Sequence, residues 1–191
     1  MDRFHSDFEI KSISVNTGDG TFSGYGSVFG NLDSHRDVVA KGAFSDSIAE
    51  AKSTGKWPKM LLQHGLGPLT EDQLPIGIWT RMEEDNHGLY VEGKLAIGTQ
   101  RGRDVHQLMK MTPYPALDGL SIGFHLKKFI MHPKTDTVRR TLQGVKLVEV
   151  SLVSSPSNKL ATVQRVKSAP DTDDAAARFI RTLRSLDATL H

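Results

Sequence analysis

With 191 residues, 38% of them hydrophobic, the chain can bury one substantial core but is too short for two ordinary domains joined by linkers. Its 24 Lys and Arg against 22 Asp and Glu leave a formal charge of only +2 with no dense basic block, which argues against nucleic acid as a partner. The absence of cysteine removes disulfides, Cys-based zinc sites and a thiol nucleophile, and leaves Ser, Thr, His and carboxylates as the candidate chemistry.

No apolar run approaches the roughly 20 residues that cross a bilayer, and Met1-Asp2-Arg3-Phe4-His5 does not open an apolar signal segment. A soluble protein with no membrane partner is therefore expected. Phe8, Ile10, Ile13 and Val15 suggest a strand, and Gly18-Asp19-Gly20 turns it into a second, Thr21 to Phe29, as an opening hairpin. Residues 30–37 read as a solvated polar loop. His35 between Asp33 and Asp37 lacks a recognised metal-ligand spacing. Phe44, Ile48 and Ala51 predict a short helix near residues 43–52.

Lys59 to His64 reads as an apolar strand with Met60, Leu62 and His64 on one face. Ile76 to Met82 and Leu89 to Ala96 form a hairpin around a polar turn, with Gly93 as a candidate bulge. Thr99 can cap a helix near 100–111 whose stripe is Val105, Leu108 and Met109. His106 falls off that stripe, at the surface. Leu117 to Met131 and Thr137 to Val153 are two long strands about the turn Lys134-Thr135-Asp136, with a bulge at Gly144. Beyond Val153 come a polar loop, a short strand at Thr162 to Val166, a linker, and an amphipathic helix carrying Ala176, Phe179, Ile180 and Leu183.

The segment Gly119-Leu120-Ser121-Ile122-Gly123-Phe124 sets one serine between glycines at i−2 and i+2, which clears space around a hydroxyl on one strand face. It lacks the strand-to-helix turn of a nucleophile elbow. Glu149 lies inside the run 147–153, on a face shared by Leu147, Ser151 and Val153, and a carboxylate there needs a partner such as a histidine N–H. His64 can then act as base for Ser121, with Glu149 fixing the imidazole. His125, on the Ser121 face, competes with Glu149 for the third role, and the loop Ser154 to Asn158 is the candidate source of oxyanion donors. A His/Asp metal hydrolase is a further reading, disfavoured by the dispersed histidines.

Taken together, Leu61-Leu62-Gln63-His64, Pro75-Ile76-Gly77, Gly119-Leu120-Ser121-Ile122-Gly123-Phe124 and Glu149-Val150-Ser151-Leu152-Val153-Ser154-Ser155-Pro156-Ser157-Asn158 resemble the prohead (capsid maturation) serine proteases of HK97-type tailed bacteriophages. The earlier Gly24-Tyr25-Gly26-Ser27-Val28-Phe29 and Gly42-Ala43-Phe44 fit as well, so the resemblance runs from about Phe22 to Val166. These enzymes are similar to herpesvirus assemblins. The resemblance implies a β-dominated α+β fold, mainly an antiparallel barrel with surrounding helices. It implies a protease domain over 1–166 followed by a linker and helical tail over 167–191.

It also implies Ser121 as nucleophile, His64 as base and Glu149 where assemblins have histidine, with neither metal nor cofactor. His64 is followed by Gly65, where many relatives carry an acidic or amide residue. The implied function is cleavage of scaffold or major capsid protein segments inside the immature capsid, in the host cytoplasm, with self-cleavage near Val166-Lys167-Ser168-Ala169-Pro170. Homo-oligomers are expected by analogy. The rival reading from another class is a non-catalytic scaffold or assembly protein on the same fold.

Overall fold

A computed structural model describes residues 4–8, 20–67 and 73–155, the first of these segments as backbone only. The strand at 162–166, the linker and the tail helix expected from the sequence lie outside the described residues, as does most of the strand expected over 7–15. The strands are β1 (Phe4–Phe8), β2 (Thr21–Val28), β3 (Asp37–Val39), β4 (Lys59–Leu62), β5 (Gly77–Glu84), β6 (Gly88–Leu95), β7 (Gly119–Met131) and β8 (Arg140–Val153). Two helices, α1 (Ser45–Thr54) and α2 (Gln100–Met109), accompany them. No helix among the described residues is long and apolar enough to cross a membrane.

The strands form one sheet in the order β1-β7-β8-β4-β5-β6-β2, with β3 pairing beside β4 along β8. It curls into a half-barrel, bringing Gly26 of β2 against Val150 of β8 and Ile122 of β7. Most pairings are antiparallel, as expected, but β3 and β4 both run parallel to β8. Among the described strands β2 pairs with β6 and β1 with β7, and the first strand and turn of the expected opening hairpin lie mostly outside the described residues. Inside the curl lie Phe22, Met60, Trp79, Leu89, Val91, Leu120, Ile122, Phe124, Val150 and Leu152, all buried. Trp79 packs edge-on to Phe22 at 5.4 Å, and its indole N–H donates to the Val150 carbonyl at 3.3 Å, satisfying its polar atom within the core.

The hairpins β5–β6 and β7–β8 follow their sequence signals. The first turns at Asp85, whose Oδ1 accepts from the N–H groups of His87 and Gly88 at 2.6 and 2.9 Å. Its bulge is at Thr80, on the strand facing Gly93. Gly93 itself is needed for close approach, since a Cβ there would lie 2.8 and 2.9 Å from atoms of the buried Trp79 ring. On β8 the register breaks on both sides of the Lys128 and Gly144 pair, near the expected bulge.

α1 docks on β8 through Ser47, whose hydroxyl donates to the Val145 carbonyl at 2.8 Å and accepts from the Leu147 N–H at 3.0 Å. Gly55 closes that helix in the left-handed conformation, at φ 66°. Thr99 caps α2, its hydroxyl accepting from the Gly102 N–H at 3.0 Å.

Two sequence expectations are corrected here. The buried face of α2 is Gly102, Val105, His106 and Met109, so His106 points inward and Leu108 is exposed. The i, i+3, i+4, i+7 set starting at Gly102 defines that face, and Gly102 permits it because a Cβ there would meet the Ala96 carbonyl oxygen at 2.1 Å. The loop 30–37 is not simply solvated. Asp33 and Asp37 are both buried, while His35 is exposed. Asp33 Oδ1 accepts from the N–H groups of His35 and Asp37, each at 2.8 Å, and burial raises its pKa. The Asp37 carboxylate takes a two-pronged bond from the buried Arg140 guanidinium, its partner in register on β8, with Nε to Oδ1 at 2.7 Å. Among the described residues no group of three or more His, Asp or Glu side chains could hold a metal ion.

Candidate active site

The site is organised by β8, which lies between β7 and β4. Across β7, Ser121 stands opposite Ser151 and Gly123 opposite Glu149. Across β4, Leu61 stands opposite Ser151 and Lys59 opposite Glu149. Ser121, Gly123, Glu149 and Ser151 therefore share the sheet face directed away from Ile122 and Val150. Ser121, Glu149 and Ser151 are fully buried.

A bulge sets the phase of β8. Gly123 pairs with Glu149 but Phe124 pairs with Leu147, so Val148 is the extra residue. This corrects the expectation that Leu147 and Glu149 share a face. The bulge lets Leu147 and Val150 both turn toward the core while Glu149 turns toward Ser121's face.

His64 reaches the carboxylate by a turn and not by strand alternation, which corrects the reading of 59–64 as one strand. β4 ends at Leu62, and Gln63, His64 and Gly65 form a left-handed turn with φ of 50°, 61° and 65°. Two consecutive non-glycine residues at positive φ cost on the order of 1–3 kcal/mol each and persist only where the surroundings hold them. One such hold is the Gln63 amide, which donates from Nε2 to the Ser154 hydroxyl at 2.8 Å and ties the turn to the end of β8. Gly65 completes the left-handed run without a Cβ penalty.

The turn sets His64 Nδ1 2.8 Å from Glu149 Oε1, with the histidine side chain 10% and the glutamate 1% exposed. The second carboxylate oxygen, Oε2, accepts from the Ser151 hydroxyl. Gly123 makes this arrangement possible: a Cβ there would lie 2.1 Å from Glu149 Oε1 and 2.9 Å from its Cδ. The glycine at i+2 from Ser121 therefore clears room for the carboxylate. Of the two candidates for the third role, Glu149 contacts His64, whereas His125 stands on β7 opposite Lys146. Within the candidate oxyanion loop only Ser154 and Ser155 are described.

The contacts of Ser151 and Gln63 went unread in the sequence, and Gly123, read there as clearing space around the Ser121 hydroxyl, makes room for the Glu149 carboxylate. A signal existed for Ser151, two residues from Glu149 on one strand face. None marked Gln63, because its conformation and its partner are non-local.

A serine, a histidine and a glutamate brought to three adjacent chain segments of a curled sheet, with the imidazole against the carboxylate, form the residue set of serine acyl chemistry. Residues 6–175 match the family model of the Caudovirus prohead serine proteases, and the chain belongs to that family. It is 33% identical over 157 residues to the prohead protease of Enterobacteria phage HK97, an alignment covering 80% of this chain and 64% of that protein. The fold is similar to that of the bacteriophage T4 capsid assembly protease, with a TM-score of 0.61 at 12% identity over 81% of this chain and 98% of that one.

Proposed function

We propose that this protein is a serine endopeptidase that cleaves scaffold or major capsid protein segments during prohead maturation. The observation that carries the reading is the 2.8 Å contact between His64 Nδ1 and Glu149 Oε1, on the strand paired with the one bearing Ser121. With Nδ1–H held by the carboxylate, Nε2 is the basic nitrogen that takes the Ser121 proton as its oxygen attacks the scissile carbonyl. Glu149 stabilises the imidazolium so formed, which then delivers its proton to the leaving amine. Family membership and the 33% identity to the HK97 prohead protease support the capsid substrates.

On this reading residues 1–166 are the protease domain and 167–191 a linker and tail removed by self-cleavage near 166–170. The enzyme works as a homo-oligomer inside the immature capsid in the host cytoplasm, on an assemblin-like barrel that needs neither nucleic acid, membrane nor metal. Because Ser121 is fully buried, a scissile carbonyl reaches it only after the covering atoms move.

The test is co-expression of the full chain with its capsid and scaffold proteins, with the masses of all products followed. The wild type is expected to trim its partner and its own tail, and Ser121→Ala to leave both whole. If both variants leave the partner intact while proheads assemble, a non-catalytic scaffold role replaces this reading. Equal trimming by both would assign the cleavage to another protease or nucleophile.

A further inference from the structure

Glu149 presents two oxygens, and the proposed mechanism uses only one. Oε1 faces His64 Nδ1, while Oε2 accepts from the hydroxyl of Ser151, which is fully buried directly across the sheet from Ser121. An ionised carboxylate has no proton to donate, so the hydroxyl is the donor and its proton is committed to Glu149. The terminal torsion of a glutamate is broad, so the side chain's own preference does not fix the plane of the carboxylate. With Gly123 supplying space on one side and Ser151 a donor at the other oxygen, that plane is fixed with Oε1 toward the imidazole.

We propose that Ser151 is a positioning residue of the active site, holding Glu149 oriented so that His64 keeps the tautomer Ser121 requires. The inference rests on the triad reading above, but its main test does not depend on cleavage. Without the Ser151 donor the carboxylate is free to turn Oε1 off the imidazole, and the charged form of His64 loses the adjacent anion that favours it. The other charged or titratable residues on the neighbouring strands are Lys59, opposite Glu149 on β4, and His125, Lys127 and Lys128 on β7, with His5 and Asp7 on β1 in register with Gly123 and Ser121. All are common to every variant compared.

The experiment is an NMR titration of the assigned His64 ring in the full chain carrying Ser121→Ala, which prevents self-cleavage. Adding Ser151→Ala is expected to lower the apparent upper pKa of the His64–Glu149 pair by on the order of one unit, the size expected when one charge-assisted hydrogen bond is weakened. Ser151→Thr, which keeps the hydroxyl, should return the titration to its starting point, and Ser151→Cys, a weaker donor, should give a smaller fall. In a Glu149→Gln background Ser151→Ala should produce no shift. An unchanged titration in folded Ser151→Ala or Ser151→Cys protein, or an equal shift without the Glu149 carboxylate, overturns the proposal.

In the active chain, Ser151→Ala should lower kcat about ten- to a hundred-fold with KM unchanged. A raised KM with unaltered kcat would contradict a positioning role. A shifted titration in a chain that never trims its capsid partner would remove the protease reading and leave the Ser151–Glu149–His64 linkage standing. Normal trimming with an unshifted titration would do the reverse.

Discussion

Glu149→Gln is expected to lower the rate of capsid-protein cleavage about 10³- to 10⁴-fold while the protein stays folded, the scale on which loss of the acid member of a triad acts. The two oxygens of Glu149 accept from His64 Nδ1 and from Ser151. An amide offers one acceptor and one donor in their place. If its NH₂ group faces His64, it forces the proton onto Nε2, and the imidazole can no longer accept from Ser121. If its oxygen faces His64, the tautomer survives, but the imidazolium formed during attack has no anion beside it in a buried site. Either orientation removes catalysis without changing side-chain volume. Single-turnover trimming of the capsid partner, set beside thermal unfolding of the same samples, measures both halves of the expectation. Full activity in a folded Glu149→Gln protein would remove Glu149 from the mechanism.

Gly123→Ala is the second large effect, and it acts through space. Its Cβ would sit 2.1 Å from Glu149 Oε1, 2.9 Å from Cδ and 3.0 Å from Cγ, so the carboxylate must leave its position between His64 and Ser151. A buried carboxylate pushed off its donors costs more than the methyl gains, and overpacking of this kind costs about 1–3 kcal/mol. Cleavage is expected to fall at least 10³-fold, as for loss of the acid itself. The double variant Gly123→Ala/Glu149→Ala removes the clash together with the charge. It should recover most of the stability, read by urea unfolding, and none of the activity. Recovery of activity along with stability would show that Gly123 acts otherwise than by making room for the carboxylate.

Much of the fold was legible because it is local. The β5–β6 and β7–β8 hairpins follow from alternating apolar residues around polar turns, and α2 from Thr99 at its cap. What was not legible depends on partners far along the chain. The burial of Asp37 makes sense only with Arg140, 103 residues later, and the parallel pairing of β3 and β4 with β8 leaves no periodic trace.

In the candidate site, the choice of Ser121, His64 and Glu149 rested on residue type and family resemblance. The geometry joining them rests on two irregularities. The left-handed run Gln63-His64-Gly65 announces itself only through its glycine. The extra residue at Val148 is one apolar residue among several, and its bulge shows only in the register with β7. Both redirect a side chain from where regular alternation would send it, and such departures gather where a site needs atoms that a plain strand cannot supply.

The most direct test of the central claim is active-site labelling in assembling proheads with a fluorophosphonate, followed by peptide mass mapping. The account predicts a single phosphonylated serine at Ser121, with labelling lost in His64→Ala and strongly slowed in Glu149→Gln. A label on another serine, or unchanged labelling of Ser121 in His64→Ala, would contradict it.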